Sequence, residues 1–122
     1  MSDAPRRFVV LHHTGIDSPH YDLMYERGPG GPLATWHFPQ WPPKGFVPVE
    51  PLGDHRRAYL DYEGPVSGNR GQVRRIASGT CWPQAAGPGR VSLRLDVPGL
   101  PHSYLSLTAS ADGTWTACLD SQ

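Results

Sequence analysis

The chain has 122 residues, a formal net charge of zero and a sequence pI near 7.0, with ten arginines against the single Lys44. That length holds one domain, residues 1–122, around one core, and a neutral balance gives no chain-wide field to attract nucleic acid, a membrane or an acidic substrate. No apolar segment approaches the roughly 20 residues of a membrane span.

The N-terminus offers only Phe8-Val9-Val10-Leu11 after Arg6-Arg7 where a signal peptide would carry a longer apolar stretch. A soluble, cytoplasmic protein is therefore expected, with no membrane partner. Cys81 and Cys118 lack a CxxC or a flanking histidine at ligand spacing and read as buried free thiols. The arginine skew suits bidentate phosphate binding, although a GC-rich coding sequence produces the same skew.

Fourteen prolines and fourteen glycines leave few places for long helices. Strands are expected near 7–13, 20–26, 33–38, 45–50, 56–62, 71–77, 79–82, 90–97, 103–108 and 114–119. The strongest are Val91-Ser92-Leu93-Arg94-Leu95-Asp96-Val97 and Tyr104-Leu105-Ser106-Leu107-Thr108, which alternate apolar and polar residues at period two. Loops are expected at 27–32, 39–44 and 83–89. Gly28-Pro29-Gly30-Gly31 reads as a hairpin turn and not a phosphate cradle, since no helix follows it, and Asp112-Gly113 marks a second hairpin. Many short strands between turn signals predict an all-β barrel or sandwich.

The first chemical constellation follows the first strand. His12-His13-Thr14-Gly15-Ile16-Asp17-Ser18-Pro19-His20-Tyr21-Asp22 holds three histidines and two aspartates. On a strand, His20 and Asp22 share one face while Tyr21 and Leu23 take the other. A turn through Thr14 to Pro19 would bring His12 or His13 alongside. Two imidazoles and a carboxylate suit a catalytic divalent metal, because they leave coordination positions open for water or a phosphoryl oxygen. A solvated surface hairpin could carry the same residues.

The second constellation is Asp54-His55-Arg56-Arg57-Ala58-Tyr59-Leu60-Asp61-Tyr62-Glu63-Gly64. Read as a strand, it puts His55, Arg57, Tyr59 and Asp61 on one face, which gives an acid or base, a cation and a phenolic donor in a row. Such a row fits phosphate chemistry, with Arg as clamp and His as proton donor. The solvated face of an edge strand is the alternative.

Taken together, the chain resembles the phosphoesterase domain of bacterial DNA ligase D. The matching pieces run in family order over most of the chain: Phe8-Val9-Val10 leading to His13, then His20-Tyr21-Asp22-Leu23 and Glu26, then Leu33-Ala34-Thr35-Trp36 with Pro39. They continue through His55 and Tyr59, Asp61-Tyr62-Glu63-Gly64, Gly71 with Val73, and Gly79-Thr80. The resemblance implies a small closed antiparallel β-barrel with a crescent groove and a manganese ion held by His13, His20 and Asp22; zinc or another transition metal suits the same ligands. It further implies that His55 and Tyr59 engage a phosphate at a nucleic-acid 3′ end, that a 3′-terminal ribonucleotide and then the 3′-phosphate are removed, and that DNA-repair proteins act in trans. A monomer is expected.

Several positions depart from the family pattern. Met24 stands where the family places an arginine two residues after the metal aspartate. The loop between the first two ligands is one residue longer than expected, which leaves His12 as a second-choice ligand. Lys44 is the only cation near the segment Phe46 to Leu52, which corresponds to a basic strand in the family. Arg56 and Arg57 are the candidate phosphate-binding replacements, with Arg6, Arg7 and Arg70 behind them, and no motif assigns the role. His37, beside Trp36, reads as a histidine packed in the barrel, with a place facing the groove as the alternative. Three readings follow: a metal-dependent phosphoesterase, a degenerate module that binds metal and phosphate without turnover, and a structural barrel without metal.

Overall fold

A computed structural model describes residues 4–99 and 102–121. Its strands are β1 (Arg6–Thr14), β2 (His20–Glu26), β3 (Leu33–Phe38), β4 (Val47–His55), β5 (Gly64–Pro65), β6 (Gln72–Gly87), β7 (Arg90–Asp96), β8 (Ser103–Ala109) and β9 (Trp115–Ser121). A single 3-10 turn, Arg57–Leu60, lies between β4 and β5. The strands form one antiparallel sheet in the order β1-β2-β3-β4-β9-β8-β7-β6-β5, and β6 pairs back onto β1, so that eight strands close a ring and β5 only extends along β6. The expected all-β, closed antiparallel architecture is what the chain adopts. No helix among the described residues is long and apolar enough to cross a membrane.

Two strands turn the corners of the ring. Val47 to Val49 of β4 pair with β9, while Glu50 to His55 pair with β3. Each half is thus bonded along one side only, and a strand with an open edge tolerates Pro48 and Pro51, since on the unpaired side a missing N–H breaks no ladder bond. In β6, residues 72–81 pair with β1 and residues 80–87 with β7. Gly79 sits at that handover, and a Cβ there would lie 2.1 Å from the Asp96 carbonyl oxygen. Only glycine permits the two backbones to approach so closely.

Burial follows side-chain parity on β1 and β2. Phe8, Val10, Leu23 and Tyr25 point into the ring and join Trp36, Phe38, Leu93, Leu95, Leu105 and Leu107 in the main core. Val9, Leu11 and Met24 point outward, and there they meet Leu33, Leu60 and Val73 in a second cluster. The 3-10 turn covers this outer cluster by seating Leu60, which is 2% exposed. Strands with apolar residues on both faces are expected wherever a sheet is covered twice.

Four expectations need correction. The strand expected at 56–62 is a 3-10 turn, so His55, Arg57, Tyr59 and Asp61 do not form a row. The turn is held by distant partners: Arg57 reaches Glu26 at 2.6 Å and Asp61 reaches Arg7 at 2.7 Å. The strands expected at 71–77 and 79–82 are one strand, and the loop expected at 83–89 shrinks because β6 runs on to Gly87, with a register shift between Pro83 and Ala85. The strand expected at 45–50 extends to His55.

Candidate metal centre

The β1–β2 ladder pairs His13 directly with His20 and Leu11 with Asp22. His13, His20 and Asp22 therefore emerge on the outer face, in line with Val9 and Met24, and each offers a ligand atom within 4.8 Å of the others. The same ladder pairs His12 with Tyr21 on the opposite face, where the two rings stack at 4.3 Å. Parity thus turns the second-choice ligand His12 away from the cluster. His37 is displaced from its expected place in the core: Trp36 takes the interior, and His37 stacks on His20 at 4.1 Å on the outer face.

Hydrogen bonds fix which nitrogen of each histidine is free. A backbone carbonyl can only accept, so the ring nitrogen beside it must carry the proton. His20 Nδ1 lies 2.8 Å from the Ser18 carbonyl, His13 Nε2 lies 2.7 Å from the Arg70 carbonyl and His55 Nδ1 lies 2.9 Å from the Gly53 carbonyl. His20 Nε2, His13 Nδ1 and His55 Nε2 are left as the free nitrogens. Metal-binding histidines characteristically donate their other N–H to such partners, which holds ring orientation and tautomer.

Asp22 supplies the strongest sign that the cluster suits a cation. It is 5% exposed, and its Oδ1 is buried with no hydrogen-bond partner. His20 Nε2 lies 3.4 Å from that oxygen. In the neutral imidazole the Nε2 lone pair faces the carboxylate oxygen, and an orphaned carboxylate oxygen is costly, so a cation between them relieves both. Metal–ligand bonds of about 2.1 Å at tetrahedral angles separate neighbouring ligand atoms by about 3.4 Å. The donor set and the His20–Asp22 separation fit a divalent metal.

Beside the cluster lies a shallow cavity of about 120 Å³, lined by His13, Asp22, Met24, His55, Tyr59 and Arg70 together with Val66 and Val73. His55 and Tyr59 meet edge to face at 5.7 Å. Met24 is 2% exposed and forms the floor, so the position beside the candidate ligands is apolar and closed.

The two expected phosphate-binding arginines are elsewhere. Arg57 Nη1 donates to Glu26 Oε2 and to the Gly31 carbonyl, 2.6 and 2.8 Å away. Glu26 stands four residues beyond Asp22 on β2, about 13 Å at strand rise. Arg56 opens onto a neighbouring hollow lined by Tyr59, Tyr62 and Ser67. The cation that lines the cavity is Arg70, which no spacing rule singled out; its signal in the sequence is only its place in the turn Gly68-Asn69-Arg70-Gly71.

The chain is therefore a closed antiparallel β protein with a two-histidine, one-aspartate cluster on its outer face. Comparison with protein-family models finds no match, and none of the curated proteins matches the chain.

Proposed function

We propose that the chain is a divergent relative of the DNA ligase D phosphoesterase domain and acts as a divalent-metal-dependent phosphoesterase on phosphorylated nucleic-acid 3′ ends. The observation that carries this reading is the convergence of His13, His20 and the orphaned Asp22 carboxylate beside His55 and Tyr59. Manganese, zinc or another transition metal held by the three ligands would supply Lewis acidity to a phosphoryl oxygen. His55, with Nδ1–H committed to Gly53, keeps Nε2 as the atom that holds or delivers a proton to the leaving oxygen near neutral pH. Tyr59 donates its phenolic hydrogen to a non-bridging oxygen. On this reading the protein works in the cytoplasm as a monomer, alongside DNA-repair proteins.

A 3′-phosphorylated primer incubated with manganese tests it. Wild type should release inorganic phosphate, and His55→Ala and Asp22→Ala should each abolish release. The apolar Met24 floor favours one second reading, a module that binds metal and phosphate without turnover. That reading wins if wild type binds both and releases nothing.

A further inference from the structure

Resting on the phosphoesterase reading, we infer that Arg70 is the anion-binding residue of this site and takes the charge that the apolar Met24 does not supply. A phosphate bound beside Asp22 and above a methionine needs a positive partner other than the metal, because the carboxylate repels it and the floor solvates nothing. Of the nearby arginines, three are taken by carboxylates and Arg56 lines the neighbouring hollow instead of this cavity. Arg57 is bound to Glu26, Arg7 to Asp61 and Arg27 to Asp54. Arg70 lines the cavity and forms no ion pair among the described residues.

Its guanidinium is already steadied. Nε donates to the Ser67 carbonyl at 2.7 Å and Nη2 to the Ser67 hydroxyl at 3.1 Å, which leaves further N–H groups of the five for an oxyanion. The supporting turn is closed by Val66 N–H to the Gly71 carbonyl at 2.8 Å. Gly71 locks it against β1: its φ is +75°, and a Cβ there would lie 2.1 Å from the Thr14 carbonyl oxygen. Arg70 thus joins the site twice. Its carbonyl orients His13, and the turn that holds its guanidinium borders the same cavity.

Calorimetry separates the two roles, because Arg70→Ala keeps the carbonyl and removes the guanidinium. Manganese affinity should stay within about twofold of wild type. Inorganic phosphate binding to the manganese-loaded protein should fall about 10- to 100-fold, since a hydrogen-bonded charge contact is lost. Arg70→Lys, which keeps the charge without the fork, should fall between the two and serves if the alanine variant does not fold. Equal phosphate affinity in wild type and both variants overturns the inference while leaving the phosphoesterase reading intact. A parallel loss of manganese and phosphate affinity also overturns it, because Arg70 would then act only through His13. No manganese binding in wild type removes the phosphoesterase reading and this inference together.

Discussion

His13 and His20 face one another across the β1–β2 ladder, their rings 5.0 Å apart and edge to face, each with one nitrogen given to a backbone carbonyl. Because both rings are oriented before any metal arrives, little ordering remains to be done on binding. Manganese titration should therefore show one site in wild type. Asp22→Ala should remove most of the affinity, whereas His12→Ala should leave it unchanged. Equal loss in both variants would contradict the parity assignment.

Met24 shares the outer cluster with Val9, Leu11, Leu33, Leu60 and Val73. An arginine there must place a guanidinium among apolar neighbours or push the 3-10 turn off the sheet. Met24→Arg is expected to lower stability by about 2 to 4 kcal/mol, and Met24→Leu by less than about 1.5 kcal/mol. Thermal melts of the two variants check this; an unchanged melting temperature for Met24→Arg would mean that the position opens to solvent.

Glu26 anchors the same turn. Burial raises its carboxyl pKa, but the Arg7 N–H, the Arg57 guanidinium and the Gly30 N–H outweigh that and hold it below the ordinary value. A depressed folded value makes the ionised form stabilising at neutral pH, and that contribution is lost as pH falls through the folded value. Glu26→Gln should cost about 2 kcal/mol at pH 7. Denaturant melts should show the gap between wild type and variant closing in acid, below the ordinary glutamate value of about 4.3.

The two thiols should differ sharply. Burial pushes the Cys81 thiol up to about 12, and its side chain lies wholly inside the main core. Cys118 is partly exposed on β9. A thiol-reactive probe at pH 8 should label Cys118 in the native state and reach Cys81 only on unfolding. Mass mapping of the labelled peptides decides the matter.

Much of the fold is legible in local pattern. Alternation places β7 and β8, and the residues 15–19 and 27–32 give the turns that bound β2. Parity on β2 alone sets His20 and Asp22 on one face. What local pattern misses depends on partners far away. Arg57 to Leu60 alternate like a strand, and they become a 3-10 turn because Glu26, a β2 residue, takes Arg57 and the outer cluster takes Leu60. Gly79 is expected to open a separate strand and is instead, within one continuous strand, a point of close backbone approach to Asp96. The Arg57–Glu26 pair is hidden for the same reason: an ion pair across the fold cannot be read from spacing. Choosing His13 over His12 needs the pairing register, which depends on how the connecting turn closes.

The seam where β1 meets β6 has a kinetic consequence. Arg6 pairs with Cys81 and Thr14 with Gln72, so nearly half of the chain, residues 15–71, must be drawn round before that ladder can form. The β1–β2, β2–β3, β7–β8 and β8–β9 hairpins are local and assemble on the microsecond scale. Loop-closure entropy delays the seam. Folding should therefore take milliseconds to seconds, and pulse-labelled amide exchange should protect Leu105 and Leu93 before Ala77. Until the seam zips, the edges of β1 and β6 lie open, and these are the edges through which a crowded, partly folded population would stick to itself.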